Sequence, residues 1–380
     1  MHLQTQTVGP NRLFFIDNIR IIVTIFVLLH HIALTYGATQ GWYYYETTKD
    51  PFAKAILNLL LSFNRACLIG IFFLIAGYFT PGSYDRKGPA GFLKDRIIRL
   101  GIPLFIFAFI MRPTLVYTMN SDILWKKYSY LENIFLFRNV GPGPLWFAEL
   151  LLIFCIVYSI IRLFMPGKEA EKENLMVFPS SGSIFFFSVL LSIAVFAARI
   201  YFPANRQIFH LRPGNYPQYI AMFAAGIIAY RNGWLTNIPD SAGRLWTWAA
   251  IFFLLIFIPV FVWKGCMEGH ISLFSGGLHW QALFSAMWES FFCTAMAISL
   301  PYNFKKYFNC RGTILKSMGE DSFTVYIFHP MVLVYLSYLL RDFIPDRSLL
   351  KFFIVSALGI PICFIISHYI RKLPYAKKVL

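Results

Sequence analysis

Charge is scarce in this sequence: only 14% of its 380 residues are Asp, Glu, Lys or Arg, where a soluble chain carries about a quarter. Hydrophobic residues make up 58%, aromatics 19%, and the mean hydropathy is +0.59. Such a chain cannot cover an aqueous surface, which excludes a soluble enzyme, a disordered regulator and a fibrous protein. Cysteine pairing is also missing. Cys67, Cys155, Cys266, Cys293, Cys310 and Cys363 form no C-x-x-C pair and no Cys/His cluster at zinc-ligand spacing, so neither a disulfide framework nor a metal site is expected. Acidic residues are the scarcer charge, 18 against 34 Lys and Arg, for a net charge of +16. In a soluble chain that excess would point to nucleic acid. In a membrane chain it belongs to loops facing anionic headgroups, and no nucleic-acid partner is expected. A cleavable signal peptide is not expected either, because the first apolar run holds a His-His pair and no small-residue cleavage site follows it.

What is abundant is apolar runs long enough to cross a bilayer. Ten are read, over Ile19 to Tyr36, Ile56 to Tyr78, Leu100 to Tyr117, Leu145 to Phe164, Ile184 to Phe202, Tyr216 to Tyr230, Leu245 to Trp263, Leu278 to Leu300, Ser322 to Leu340 and Leu349 to Ile370. The sixth is the shortest and crosses only with little tilt or thinned lipid. With the N-terminus cytoplasmic, the inner segments hold 20 of the 34 Lys and Arg and the outer ones 13. Both termini are therefore expected in the cytoplasm. The fold expected is an all-α polytopic bundle of about ten transmembrane helices, one integral membrane domain over residues 1–380.

Ionisable groups inside spans are functional candidates, because lipid makes each one expensive. In FIDNIRIIVTIFVLLHHIALTYG, Arg20 and His31 are eleven residues apart, three turns plus about 20°, so they share a helix face ~16 Å apart along the axis. Asp17 lies one turn before Arg20 and can hold its guanidinium. His30 points 100° away and reads as a packing residue. Arg96 and Arg99, in DRIIRLGIP, share a face before the third span and suit bidentate phosphate binding. Glu149 and Glu289 are expected as internal ion-pair partners for Arg65 or Arg112. His329, before the helix-kinking Pro330, reads as a structural histidine or a second proton-handling group. Gly77 in GIFFLIAGYF suits close helix packing. Trp42, Tyr43, Tyr44 and Tyr45, after the first span, read as an interfacial belt or as platforms for sugar rings.

Taken in order, these fragments resemble the acyltransferase 3 family of multi-pass membrane proteins along nearly the whole chain. DNIR followed by HHIALTYG is similar to the family's Asp-x-x-Arg opening with its essential His eleven residues on, which selects His31. IFFLIAGYF is similar to its Ser-Gly-Tyr-Phe segment, with Ala76 in place of the Ser. DRIIRLGIP matches its Arg-x-x-Arg signature, and GPLWFAELLLIF, MFAAGIIAYRNGWL and EDSFTVYIFHP resemble three later segments. The branch it most resembles succinylates osmoregulated periplasmic glucans. The resemblance implies an inner-membrane O-acyltransferase that moves an acetyl, succinyl or similar group from cytoplasmic acyl-CoA to a hydroxyl of an extracytoplasmic carbohydrate. No permanently bound cofactor is expected.

In this reading His31 is the general base, with Asp17 counted beside it as catalytic, and Arg20, Arg96 and Arg99 bind the coenzyme A phosphates. His329, Glu149 and Arg65 are secondary candidates. The competing class is a transporter whose intramembrane charges form a substrate or proton path. A basic mouth aligned with one intramembrane His, and no evident inverted repeat, speak for the enzyme.

Overall fold

The structure is a computed structural model that describes residues 13–37, 42–119, 129–135, 140–165, 176–208, 210–310 and 312–380. These form twelve α-helices and no β-strand: α1 (Phe14–Thr35), α2 (Pro51–Arg96), α3 (Ile102–Ile106), α4 (Arg112–Met119), α5 (Tyr130–Phe135), α6 (Trp146–Phe164), α7 (Ser181–Tyr201), α8 (Tyr216–Arg231), α9 (Asp240–Val260), α10 (Trp280–Tyr307), α11 (Thr313–Leu339) and α12 (Ser348–Lys372). We call the face where α1 begins proximal and the opposite face distal.

Eight helical stretches are long and apolar enough to cross a membrane, against the ten read from the sequence. Two places account for the difference. The stretch Pro51–Met119 runs for 69 residues, about 100 Å if straight and several times what one crossing needs. It folds back at Gly88, whose φ of 68° and ψ of 170° break the helix just before Pro89. Across that reversal Tyr84 meets Phe92 with ring centroids 5.5 Å apart, and Lys87 pairs with Asp95 at 2.8 Å. The return leg is helical through α3 and α4, joined by π turns at Ile97–Gly101 and Phe107–Met111. The second place is α8, which has only 16 residues.

Local sequence sets several of the helix starts. Asp50 caps α2 by accepting from the Phe52 N–H at 2.9 Å, with Pro51 in the first turn. Ser180 caps α7 through the Ser183 N–H at 3.1 Å. The start of α1 is fastened by Asn18, whose side chain donates to the Phe308 and Cys310 carbonyls at 2.7 and 3.2 Å.

The tightest crossing in the core is α2 on α8. A Cβ on Gly77 would run into the Phe223 carbonyl oxygen, and one on Gly226 into that of Leu74. Helices in lipid associate through such close backbone approach, since apolar burial gives them little. This confirms the packing role expected of Gly77. Gly226→Val should lower the thermal midpoint of the purified protein by the cost of overpacking, about 1–3 kcal/mol or more. Gly101→Ala, whose added methyl group meets nothing closer than Ile97 at 3.7 Å, should leave it unchanged. A thermal unfolding scan in detergent compares them, and equal midpoints would refute this account of the crossing.

Candidate functional site

One cavity of about 910 Å³ reaches from the proximal to the distal side of the bundle. Among the described residues seven arginines line it, Arg20, Arg65, Arg96, Arg99, Arg112, Arg212 and Arg371, against one acidic side chain, Glu320.

At the proximal mouth stand Arg20, Arg96, Arg99 and Arg371. Three of them are held by acids from their own or a neighbouring helix. Asp17 meets Arg20 at 3.4 Å, Asp95 meets Arg99 at 3.2 Å, and Arg371 reaches Glu320 at 2.9 Å and Asp321 at 3.1 Å. Asp321 also accepts from Ser317 at 2.9 Å and lies 3.0 Å from His368 Nδ1. The Arg96 guanidinium lies over the Phe92 ring at 5.1 Å, and its Nε is buried with no hydrogen-bond partner. These charges are thus aimed by fixed partners, as recognition of a polyanion requires. Between the mouth and the far chamber the lining turns apolar, with Val27 on α1 and Leu68, Phe72 and Ile75 on α2.

His31 lies one turn before the distal end of α1. Its ring stacks on Trp42 at 4.3 Å and lies 4.9 Å from the His329 ring. His329 is fully buried and does not line the cavity. Its Nδ1 lies 2.8 Å from the Tyr326 carbonyl and 3.2 Å from that of Val325. Tyr326 is four residues before Pro330, so its carbonyl is the one deprived of a helical partner by the missing proline N–H. Both neighbours only accept, so His329 Nδ1 carries the proton and Nε2 keeps the lone pair. That Nε2 is buried without a partner, as is Nδ1 of His31. Adjacent rings therefore hold one unused acceptor and one unused position for a donor.

Around His31 the distal chamber is lined by His30, Tyr43, Arg65, Arg112, His210, Arg212 and Tyr219, among others. Burial pushes the Tyr43 phenol up to about 12, and the nearby Arg112 charge pulls the other way. The phenol is neutral at ordinary pH. His210 is lowered first by burial and then by the nearby Arg112, which keeps it neutral too.

The sequence expectations meet this geometry unevenly. Arg20 and His31 do share the cavity-facing stripe of α1, and Arg96, Arg99 and Arg65 line the same cavity. Asp17 is not at the His31 end of the cavity. It sits 14 residues before His31, about 21 Å along the helix, and orients Arg20 instead. His30 lines the chamber rather than packing away from it. Glu149 pairs with neither Arg65 nor Arg112, and its Oε2 is buried without a partner. Glu289 binds Arg199, not the expected arginines: Arg199 donates to Glu289 at 2.5 Å and to Asn215 at 2.6 Å while 1% exposed. Trp42 stacks on His31 and lines the cavity beside it.

Sequence reasoning missed Arg371, Arg212 and His210 in the lining, and Arg199. The first was counted as an orientation charge, although EDSF on the preceding helix supplies its two carboxylates. Arg199, inside the fifth span, carried the usable signal of an intramembrane charge.

The comparisons with known proteins agree with the whole-chain resemblance. The chain is similar to Glucans biosynthesis protein C of Salmonella heidelberg, 26% identical over 253 residues, which are 63% of this chain and 62% of the relative. It is similar to the protein of the same name from Salmonella paratyphi B, 26% identical over 207 residues, 53% of this chain and 50% of the relative. The chain thus spans about half to three-fifths of the length of these curated relatives. No solved structure matches it. Residues 13–368, which include every arginine and histidine of the cavity except Arg371, match the acyltransferase domain, and the chain belongs to the acyltransferase 3 family.

Proposed function

We propose that this multi-pass membrane protein transfers an acyl group from acyl-CoA, bound at the proximal mouth, to a carbohydrate hydroxyl entering from the distal side. The observation that carries the reading is the single cavity with four arginines at one end and His31 at the other. Coenzyme A is phosphate-rich at one end and tapers to a thin pantetheine arm. Arg20, Arg96, Arg99 and Arg371 would clamp the phosphates, and the arm would lie along the apolar stretch beside Val27, Leu68 and Ile75. The thioester then reaches His31, ~16 Å along α1 from Arg20. The proximal face is the cytoplasmic one in this reading, and the membrane is the inner membrane. The names of the relatives support a glucan or similar glycan as acceptor.

The chemistry follows from the imidazole. His31 takes the proton of the acceptor hydroxyl as its oxygen attacks the thioester carbonyl. The carbon–sulfur bond breaks as the oxygen–carbon bond forms, and the proton passes from His31 to the departing CoA thiolate. For this His31 must present a lone pair to the cavity and keep its proton on the buried Nδ1. His329 would then be a positioning residue: its ring packs against that of His31, with no hydrogen bond between the two in this structure, and it touches no substrate.

The test is direct. Purified protein in nanodiscs is given labelled acyl-CoA and a panel of glycans, and CoA release and label transfer are followed. Transfer supports the reading; movement of an intact glycan with no CoA release supports the transport class instead. Arg96→Ala and Arg99→Ala should each raise KM for acyl-CoA by roughly 10- to 100-fold, the worth of a charge-assisted hydrogen bond. KM for the acceptor should hold. The opposite pattern would contradict the placement of the donor.

A further inference from the structure

The segment after α1 carries Trp42, whose ring stacks on His31 at 4.3 Å and whose indole N–H is buried without a hydrogen-bond partner among the described residues. Trp42 is therefore placed by ring packing and by the backbone that carries it. That backbone is tethered four residues on, at Glu46. The Glu46 N–H donates to the Thr35 carbonyl at 2.6 Å, and the Thr35 hydroxyl donates to the His31 carbonyl at 3.3 Å, so the segment lies along the last turn of α1. One oxygen of the Glu46 carboxylate accepts from the Tyr44 hydroxyl at 2.9 Å, the other from Lys351 Nζ at 2.7 Å. Lys351 also donates to the Arg341 carbonyl, just past α11, at 2.6 Å. The placement of Lys351 is costly twice over. It is 3% exposed, which strips its ammonium of water, and it stands in the first turn of α12, where the helix dipole disfavours a cation. Burying such a pair gains little stability over apolar side chains of the same size, which leaves the fixing of one chain arrangement as its effect.

We infer that the Glu46–Lys351 pair latches the segment after α1 to the ends of α11 and α12 and so holds Trp42 on His31, which makes Glu46 and Lys351 positioning residues for the base. The inference rests on the acyl-transfer reading, in which His31 takes the acceptor proton. Neither Glu46 nor Lys351 lines the cavity, so neither meets a substrate. Their effect reaches the reaction through one ring. An imidazole near the end of a helix can turn about its side-chain bonds, and the indole face packed on it restricts that turning. Rate follows orientation steeply, since a misplacement of ~1 Å at a reacting group costs about 100-fold. The arginines of the proximal mouth stand at the other end of the cavity and do not feel the latch.

Two readouts test the latch, one of them independent of turnover. In kinetics, Lys351→Met combined with Glu46→Gln leaves no buried charge alone and keeps the fold. It should lower kcat by roughly 10- to 100-fold with KM for acyl-CoA unchanged. Lys351→Arg, which can still donate to Glu46 and to the Arg341 carbonyl, should retain most of the rate. Lys264→Met, which removes the surface pair with Glu268, should change neither constant. In spectroscopy, protein carrying 5-fluorotryptophan gives a fluorine resonance for Trp42, identified by its loss in Trp42→Phe. His31→Ala should shift that resonance in the parent protein, because the stacked ring is gone. In the variant with Lys351→Met and Glu46→Gln it should shift nothing, because the stacking is already lost. That pattern in a parent protein with no turnover would keep the latch and remove the acyltransferase reading. A Trp42 resonance as sensitive to His31→Ala without the pair as with it, or a kcat that the paired replacement leaves untouched, would overturn the latch.

Discussion

His31→Ala is expected to reduce kcat by about 10²–10⁴-fold, the usual contribution of a positioned general base, with the protein still folded in the membrane. His31 lies at the end of an apolar stretch where only Thr24 and the two histidines on α1 offer polar side chains to the cavity beyond Arg20. Its neighbours give it no other work: Trp42 stacks on one side and His329 packs on another. His31→Gln keeps most of the volume and should be equally inactive, which separates lost chemistry from lost packing. His329→Leu should lower kcat by a smaller factor, leave KM for both substrates in place and shift the pH profile, because it removes the polar ring that packs 4.9 Å, centroid to centroid, from His31. His329→Gln, whose amide keeps a polar group at the same place, should restore part of the rate. Undiminished turnover by His31→Ala would end the assignment of His31 as base.

The second large effect is on stability. Glu289→Leu should cost about 3–5 kcal/mol, because it strands a buried charge whose partner has gone. Arg199 is 1% exposed and its remaining oxygen partner is Asn215 at 2.6 Å, while its Nε and Nη1 already lack partners. The paired replacement Arg199→Met with Glu289→Leu should recover most of the loss, since no charge is then left alone. Thermal midpoints of the two single variants, the double variant and the parent protein close the cycle. A single variant as stable as the parent would show that the pair carries no such weight.

These two sites also show where the sequence was legible. Arg20 and His31 were found together because helical spacing is a local property: eleven residues on one helix fix a shared face whatever surrounds it. Arg96 and Arg99 were found for the same reason. The partner of Glu289 was not, because the choice among Arg65, Arg112 and Arg199 depends on how α7 lies against α10, and no spacing along one helix encodes that. Asp17 was placed one turn from Arg20 correctly, and the structure keeps it at that local contact, far along α1 from the His31 it was counted beside. The stacking of Trp42 on His31 was not legible because it depends on the path of the chain after α1, which composition does not determine. His329 lay between the two cases: Pro330 announces a freed carbonyl, but only the fold shows that the histidine itself takes it.

The apolar stretch between the two cationic chambers has a bearing on leakage. A cavity that joins the two sides of a membrane threatens to short-circuit the ion gradients kept across it. Here Val27, Leu68 and Phe72 give the passage an apolar lining, and an apolar lining resists a continuous file of water. The arginines at either end raise the electrostatic cost for protons and metal cations. The same segment that would guide a thin, weakly polar arm toward His31 thus acts as an insulator, and the protein is expected to stay electrically tight through the reaction.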